Sequence, residues 1–150
     1  MKKNLKKIAL FLLFVFLYFL PVLIFKTDVG YYNKLIKPFF APKPIIFSIC
    51  WIILYLIFAF LLVKISKKEF REGLVILGIN YFISFFFNYF FFVKQNLFLS
   101  FCDTFLCFCS GLLLFLYLMK KDRYLAFMTS PYLLWTGFAS ILMCTIYFLN

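Results

Sequence analysis

The sequence predicts an all-α integral membrane protein, folded as a bundle of five transmembrane helices. Of its 150 residues, 67% are hydrophobic and 25% are aromatic, and the mean hydropathy is +1.05. This is more apolar surface than one water-soluble core of this size can bury. The apolar residues form five runs, each long enough as a helix to cross roughly 30 Å of hydrocarbon. The runs are 8–25, 45–63, 74–93, 97–119 and 125–149.

None of the five runs alternates apolar with polar residues, so transmembrane β-strands are excluded. The first run follows four lysines (Lys2, Lys3, Lys6, Lys7) and in this respect resembles a signal peptide. No small-residue cleavage site follows it, because Phe25, Lys26 and Asp28 are poor cleavage context. The first run is therefore predicted to remain as a helix, and the five runs together are predicted to form one domain, 1–150.

The connection 26–44 is the one long polar segment between runs, and we call it the lid. It contains Pro38, Pro42 and Pro44. Proline fixes φ and removes a backbone donor, so Lys37 to Pro44 is predicted to be a stiff, non-helical crossing that ends where the second run begins at Ile45. A flexible linker would be rich in Gly and Ser instead.

Polar residues within the third and fourth runs are candidates for function. Asn80, Ser84 and Asn88 recur every four residues, which places them along one face of a helix. Asp103 and Thr104 lie in the fourth run, where a carboxylate costs roughly 2.5 to 3.5 kcal/mol on insertion scales. Alternatively, the three polar residues are interhelical hydrogen-bonding groups, and one of them satisfies Asp103.

Depth brings several of these residues to one level. At 1.5 Å per residue, Trp51, Asn88 and Asp103 each lie about 8 to 9 Å below the lid-side end of their helix, and Trp135 lies nearer the midplane. These four residues are predicted to line one cavity under the lid. The alternative for the two tryptophans is anchoring in an interfacial aromatic belt.

The basic residues predict the orientation. Eleven of the sixteen lie at the N-terminus and in the second and fourth connections: Lys2, Lys3, Lys6, Lys7, Lys64, Lys67, Lys68, Arg71, Lys120, Lys121 and Arg123. The other side carries five: Lys26, Lys34, Lys37, Lys43 and Lys94. The positive-inside rule then predicts a cytoplasmic N-terminus, with the lid and C-terminus outside. Anionic headgroups account for the net charge of +11, so no nucleic-acid partner is expected.

Cysteine and histidine exclude several site types. All five cysteines (Cys50, Cys102, Cys107, Cys109, Cys144) fall inside predicted spans, which argues against a disulfide framework. The three in the fourth run match no zinc or cluster spacing, and the chain has no histidine. No metal site and no required cofactor are predicted.

Three stretches of sequence share a pattern with a known family. The lid and second run contain Tyr31, Tyr32, Leu35, Lys37, Pro38, Phe40, Pro42, Phe47, Trp51, Leu54, Tyr55 and Ala59 at the family's spacing. Asn80 opens the third run's pattern, QNLFLSFCD leads to Asp103, and PYLLWTGFAS spans Pro131 to Ser140 before a final Leu-Asn. The chain resembles the TspO/MBR family of tryptophan-rich sensory proteins and translocator proteins.

The resemblance implies a five-helix bundle, commonly a homodimer, that binds porphyrins and other hydrophobic ligands in a pocket closed by the lid. It implies a bacterial cell membrane location. The family's pocket positions correspond to Tyr32, Pro42, Tyr55, Ser84, Phe87, Asn88, Asp103, Thr104, Ala139 and Leu142. The family is also associated with light- and oxygen-dependent porphyrin breakdown, for which the resemblance implicates Trp51 and Trp135 as catalytic residues.

The chain departs from the family at Tyr31 and Phe40, where tryptophan is usual or frequent, and at Lys43, where a proline is usual. The residues and the resemblance leave three functions open. The first is a porphyrin receptor or carrier, with Lys34, Lys37 or Lys43 receiving the propionates. The second is a photo-oxidative enzyme that degrades the porphyrin. The third is a small multidrug-type or ion-coupled transporter with Asp103 as its coupling carboxylate.

Overall fold

The structure is a computed structural model that describes residues 2–66 and 68–150. Helices are α1 (Lys2–Ile24), α2 (Val29–Lys34), α3 (Pro44–Ile65), α4 (Arg71–Phe85), α5 (Leu97–Lys121) and α6 (Arg123–Leu149), with a 3₁₀ turn Lys68–Phe70 and a π-helix Tyr89–Val93. Five segments are long and apolar enough to span a membrane: Leu5–Ile24, Pro44–Ile65, Arg71–Val93, Leu97–Lys121 and Arg123–Leu149. The chain is therefore an integral membrane protein with the predicted helical fold class.

The helix ends follow local sequence signals. The side chain of Asn96 accepts a hydrogen bond from the Leu99 amide at 3.0 Å and caps α5. Asp122 accepts from the amides of Tyr124 and Leu125 and caps α6. Such caps satisfy amides that have no partner inside the helix. Pro44 occupies the first turn of α3, where its missing N–H costs nothing, so this helix begins one residue before the predicted Ile45.

The predicted third helix, 74–93, is wrong as one continuous α-helix. The α-helical hydrogen bonds of α4 end at Phe86, whose amide donates to Ile83 O at 3.1 Å. The chain then widens into the π-helix, in which the Lys94 amide donates to the carbonyl five residues earlier, Tyr89 O, at 2.9 Å. A π turn rotates the side chains that follow it and is frequent at functional sites. Hydropathy does not register it, because both segments are equally apolar.

The lid contains a short helix that was not predicted. Residues Lys37 to Lys43 are non-helical, as expected from the prolines, but α2 precedes them. Asp28 caps its first turn by accepting from the Tyr31 amide at 3.1 Å. Lys37 lies past its other end, so both charges complement the helix dipole. Without these two contacts a helix of six residues is too short to be stable.

The core forms mainly between α5 and α6. One buried cluster includes Leu61, Leu114 and Leu118. A second cluster under the lid includes Tyr32 and Leu142. The five cysteines are free, as predicted. Lys67, counted among the basic residues, lies outside the described residues, as do the side chains of Lys2, Lys3 and Lys68.

Candidate ligand-binding cavity

A cavity of about 470 Å³ lies beneath the lid, within the range of roughly 300 to 1,000 Å³ that is usual for small-molecule sites. Every helix contributes to it. Its walls are Phe19, Val22, Thr27, Val29, Tyr32, Pro44, Ile45, Phe47, Ser48, Trp51, Ile52, Tyr55, Ser84, Phe87, Asn88, Phe91, Phe92, Asp103, Thr104, Cys107, Thr136, Ala139, Leu142 and Met143. The cavity is mostly apolar, with a few polar groups in its wall.

Ten of the twelve predicted ligand-binding residues line this cavity: Tyr32, Trp51, Tyr55, Ser84, Phe87, Asn88, Asp103, Thr104, Ala139 and Leu142. Pro42 does not line it, but its carbonyl accepts a hydrogen bond from the Tyr32 hydroxyl at 3.0 Å. Trp135 does not line it either. The structure thus brings most of these positions together, while their contact with a ligand stays a prediction.

Trp135 packs behind the cavity wall, which corrects the prediction that both tryptophans line it. The ring of Phe47 lines the cavity and contacts the Trp135 indole edge to face at 5.6 Å. Phe138 covers another side of the indole at 5.6 Å. The indole Nε1 is buried and makes no hydrogen bond with the described residues. The helical rise predicts the depth of Trp135 but not the position of the Phe47 side chain.

Aromatic rings form two parts of the wall. Trp51 and Tyr55 lie one turn apart on α3, with their ring centroids 5.6 Å apart. Phe87 and Phe91 are stacked at 5.5 Å with an angle of 8° between their planes. This pairing depends on the π-helix, which carries Phe91. The cavity therefore offers flat apolar surfaces to a ligand.

Asp103 is the one acidic residue in the cavity wall, and it is 5% exposed. Its carboxylate contacts the Cys107 thiol at 3.9 Å. No lysine or arginine lies among the lining residues. A carboxylate in this setting can accept a hydrogen bond from a donor on a ligand. Asn88 also lines the cavity, and its side chain makes no hydrogen bond within the described part of the chain, which leaves its amide available.

Asn80 has a structural role, as the alternative interpretation of the polar stripe proposed. Its amide donates to Cys107 O at 3.0 Å and Ser110 Oγ at 2.8 Å. Its amide oxygen accepts from the Tyr132 hydroxyl at 2.9 Å. These bonds join α4, α5 and α6, and Asn80 does not satisfy Asp103. Ser84 lines the cavity but donates to Tyr81 O in its own helix.

The lid is held from several directions. The Tyr31 hydroxyl donates to Gln95 O at 3.2 Å, next to the start of α5. Asn150 makes two bonds to the backbone of Ile36, accepting from its amide at 2.9 Å and donating to its carbonyl at 3.0 Å. Burial raises the pKa of the Tyr31 and Tyr32 hydroxyls above the usual value, because it disfavours the charged form.

Lys37 is engaged within the lid itself, which corrects its proposed role as a propionate partner. Its ammonium donates to the carbonyls of Tyr32, Asn33 and Leu35 at 2.9 to 3.1 Å. An ammonium has three donors, so these carbonyls use all of them. Lys34 and Lys43 are exposed and remain candidates for that role.

Several lining residues were not predicted from the sequence. Cys107 lies one turn from Asp103, and Met143 one turn from Ala139, so the spacing of four residues could have found both. Phe91 depends on the π-helix, which leaves no signal in the hydropathy. Val22 and Ile52 lie in continuous apolar runs that give no sign of a cavity-facing position. Among the described residues no cluster of three or more acidic, cysteine or histidine side chains could hold a metal ion.

Comparison with known proteins agrees with this architecture. The model of the TspO/MBR family matches residues 8–149. The chain is 30% identical over its whole length to the uncharacterized membrane protein YtaB of Bacillus subtilis and to the tryptophan-rich protein TspO of Bacillus cereus, covering 99% of each. It is 29% identical to the tryptophan-rich protein TspO of Chlorobaculum tepidum over 80% of this chain and 79% of that protein. The chain belongs to the TspO/MBR family.

Proposed function

We propose that this protein binds a porphyrin in the cavity beneath the lid, as a receptor or carrier. The observation that carries the proposal is the cavity itself, whose wall combines two pairs of aromatic rings with the polar side chains of Asn88 and Asp103. A porphyrin is a flat aromatic disc, and each ring contact with such a wall contributes about 0.5 to 1.5 kcal/mol beyond the burial of area.

The charges limit how a porphyrin lies in the cavity. The cavity wall contains no basic residue and one carboxylate, so a propionate placed deep inside would be repelled and unpaired. The two propionates therefore point towards the lid, where Lys34 and Lys43 are exposed. The edge of the macrocycle that carries no carboxylate faces Asp103. Membership of the TspO/MBR family supports this ligand class.

Titration of the purified protein with protoporphyrin IX, followed by the porphyrin's absorption, tests the proposal. We expect Trp51→Phe to weaken binding about fivefold, since losing part of a stacking wall costs about 1 kcal/mol. Asp103→Asn and Asn88→Ala should change the affinity as well. Phe82→Leu is the matched control, because Phe82 is exposed on α4 and lies outside the cavity wall. If Trp51→Phe and Asp103→Asn both bind as the parent protein does, the cavity is not the site.

Photo-oxidative degradation of the porphyrin is the second candidate function. It is favoured by the position of Trp51, which lines the cavity and lies 5.6 Å from Tyr55. A ligand in the cavity would touch an indole, which is more easily oxidised than phenylalanine. Trp135 would act only through Phe47. A transporter coupled through Asp103 remains a third hypothesis, with no structural feature that favours it over binding.

The proposal includes the orientation with the N-terminus in the cytoplasm and the lid outside. It rests on the uneven distribution of basic residues. A cysteine introduced at Lys34 should be labelled in intact cells by a membrane-impermeant thiol reagent, whereas one introduced at Lys121 should be protected. The reverse labelling pattern would place the lid on the cytoplasmic side. Association into a homodimer is proposed from the family alone.

A further inference from the structure

The cavity is open on the side of α1 and α3, next to the start of the lid, where the lining residues Thr27 and Val29 are exposed. Its walls on α5 and α6 are buried, as shown by Asp103 at 5% and Leu142 at 1% exposed. Its walls on α1 and α3 are not, since Val22 is 45%, Ile45 63% and Ile52 44% exposed. The exposed lining side chains thus mark a gap between α1 and α3.

Proline in α1 explains why the gap opens where it does. At the level below the gap the two helices are in contact, with the rings of Tyr18 and Phe19 5.3 and 5.5 Å from Tyr55. Pro21 has no N–H to donate to the carbonyl four residues earlier, and this carbonyl, Leu17 O, accepts from the Tyr81 hydroxyl at 2.9 Å instead.

Beyond Pro21 the end of α1 packs on a different neighbour. The ring of Phe25 contacts Phe85 at 5.6 Å and Tyr89 at 5.4 Å, both at the lid-side end of α4 and its π-helix. The end of α1 is therefore held against α4, while α3 continues to the lid at Pro44. The space between α1 and α3 at this level forms the opening of the cavity.

The medium outside this gap is lipid. Val22 and Ile52 lie within spanning segments, and Ile45 lies at the start of one, so acyl chains and not water surround their exposed atoms. The lid from Tyr31 to Pro42 is held in place by contrast, because the side chains of Tyr31, Tyr32 and Asn150 each hydrogen-bond backbone groups across or beside it. Rings of Tyr31 and Phe91 pack beneath it at 5.4 Å.

We propose that the cavity takes its ligand sideways from the membrane, through the gap between α1 and α3, and that the lid is a fixed wall. The ligand class is then an amphiphile dissolved in the lid-side leaflet, with a flat apolar body that passes between Val22 and Ile52. Acyl chains of lipid reach the gap when no ligand is bound. That the amphiphile is a porphyrin rests on the proposed function. The existence of the gap does not depend on it.

The first experiment needs no porphyrin. The protein with Trp135→Phe retains Trp51 as its single tryptophan, and it is reconstituted in bilayers whose acyl chains carry bromine, which quenches indole fluorescence on contact. We expect strong quenching, and we expect Val22→Phe to relieve it by narrowing the gap. Leu23→Phe is the matched control, since Leu23 is 70% exposed on the same helix but does not line the cavity.

The second experiment measures the rates of protoporphyrin IX binding and release in bilayers. Narrowing an entrance slows entry and exit together, whereas losing a contact speeds release alone. Val22→Phe should therefore slow both rates several-fold, and Leu23→Phe should leave them unchanged. Asn150→Ala, which removes the two bonds to Ile36, should not speed entry if the lid is a wall.

The outcomes separate the two ideas. The lateral gap is refuted if brominated lipid quenches Trp51 fluorescence equally in the Val22→Phe and Leu23→Phe variants. It is also refuted if Asn150→Ala speeds porphyrin entry while Val22→Phe leaves the rates of entry and release unchanged. Absence of any porphyrin binding refutes the proposed function instead, and the quenching result still decides whether the gap exists. Quenching that Val22→Phe relieves, with both rates slowed, supports the gap.

Discussion

The two sides of the cavity are built from different kinds of residue. Between α5 and α6 the contacts involve small side chains such as Cys107, Gly111 and Ala139, which allow the backbones to approach closely. Between α1 and α3 they involve large rings, such as Tyr18 on Tyr55. The first pair forms a rigid wall. The second leaves an opening where the rings end, so the same bundle combines a fixed binding surface with an entrance.

The largest expected effect concerns the rigid side. A Cβ added at Gly111 would lie 2.8 Å from Tyr132 Cε1, and Tyr132 is held by its bond to Asn80. We expect Gly111→Ala to lower thermal stability in detergent, since overpacking costs about 1 to 3 kcal/mol. Gly78→Ala is the control, because nothing lies within 4 Å of its Cβ position. It should raise stability slightly, by up to about 1 kcal/mol, through helix propensity.

An unchanged melting temperature for Gly111→Ala would show that the contact between α5 and α6 is as adaptable as that between α1 and α3. The contrast drawn between the two sides would then be lost.

Asn80 on α4 and Asn88, just before the π-helix, are expected to differ in role. Asn80 is 1% exposed and joins three helices, so Asn80→Ala should lower stability by about 1 to 2 kcal/mol. Asn88 faces the cavity without a hydrogen bond within the described residues. We expect Asn88→Ala to weaken porphyrin binding while leaving the unfolding midpoint near that of the parent.

Both variants are compared by thermal unfolding and by porphyrin titration. Equal losses of stability in the two would mean that Asn88 has a structural partner as well.

The two tryptophans lie on the two different sides of the cavity compared above. Substituting each of them tests whether the protein is an enzyme or a carrier. Trp51 lies on α3 in the cavity wall, and Trp135 lies on α6 behind Phe47. If the porphyrin is degraded under light and oxygen, its absorption should bleach and an open-chain product should appear. Trp51→Phe should slow this more than Trp135→Phe, with the two compared at equal porphyrin occupancy.

Equal occupancy is needed because a lost stacking wall also weakens binding. Bleaching at the same rate in both variants, and for free porphyrin in detergent, would be ordinary photodamage, and the protein would be a binder.

The smallest effect concerns the lid at high pH. Burial raises the pKa of Tyr31 and Tyr32 in the folded protein. Their neutral hydroxyls therefore stabilise the fold fully below about pH 10, the usual tyrosine value, and this stability is lost as the pH rises through the folded pKa values. The melting temperature should fall between pH 8 and about pH 11, and this fall should be smaller in the Tyr31→Phe variant. A fall of the same size in the variant would exclude Tyr31 as a cause.

Much of this protein could be predicted from its sequence, because membrane insertion depends on local hydropathy. The five spans follow from 18 to 25 apolar residues in a row, and the rigid part of the lid follows from three prolines. The depth of Trp51, Asn88 and Asp103 follows from the helical rise alone. These properties need no knowledge of neighbours.

The use of those residues depends on tertiary contacts. Asn80 and Asn88 have the same side chain and a similar apolar context, but one meets Cys107 and Ser110 and the other meets the cavity. Trp135 lies at a suitable depth, but Phe47 packs against it. These outcomes depend on which helix packs against which, and on the rotation introduced by a π turn. Contacts between distant parts of the chain, and not local composition, determine them.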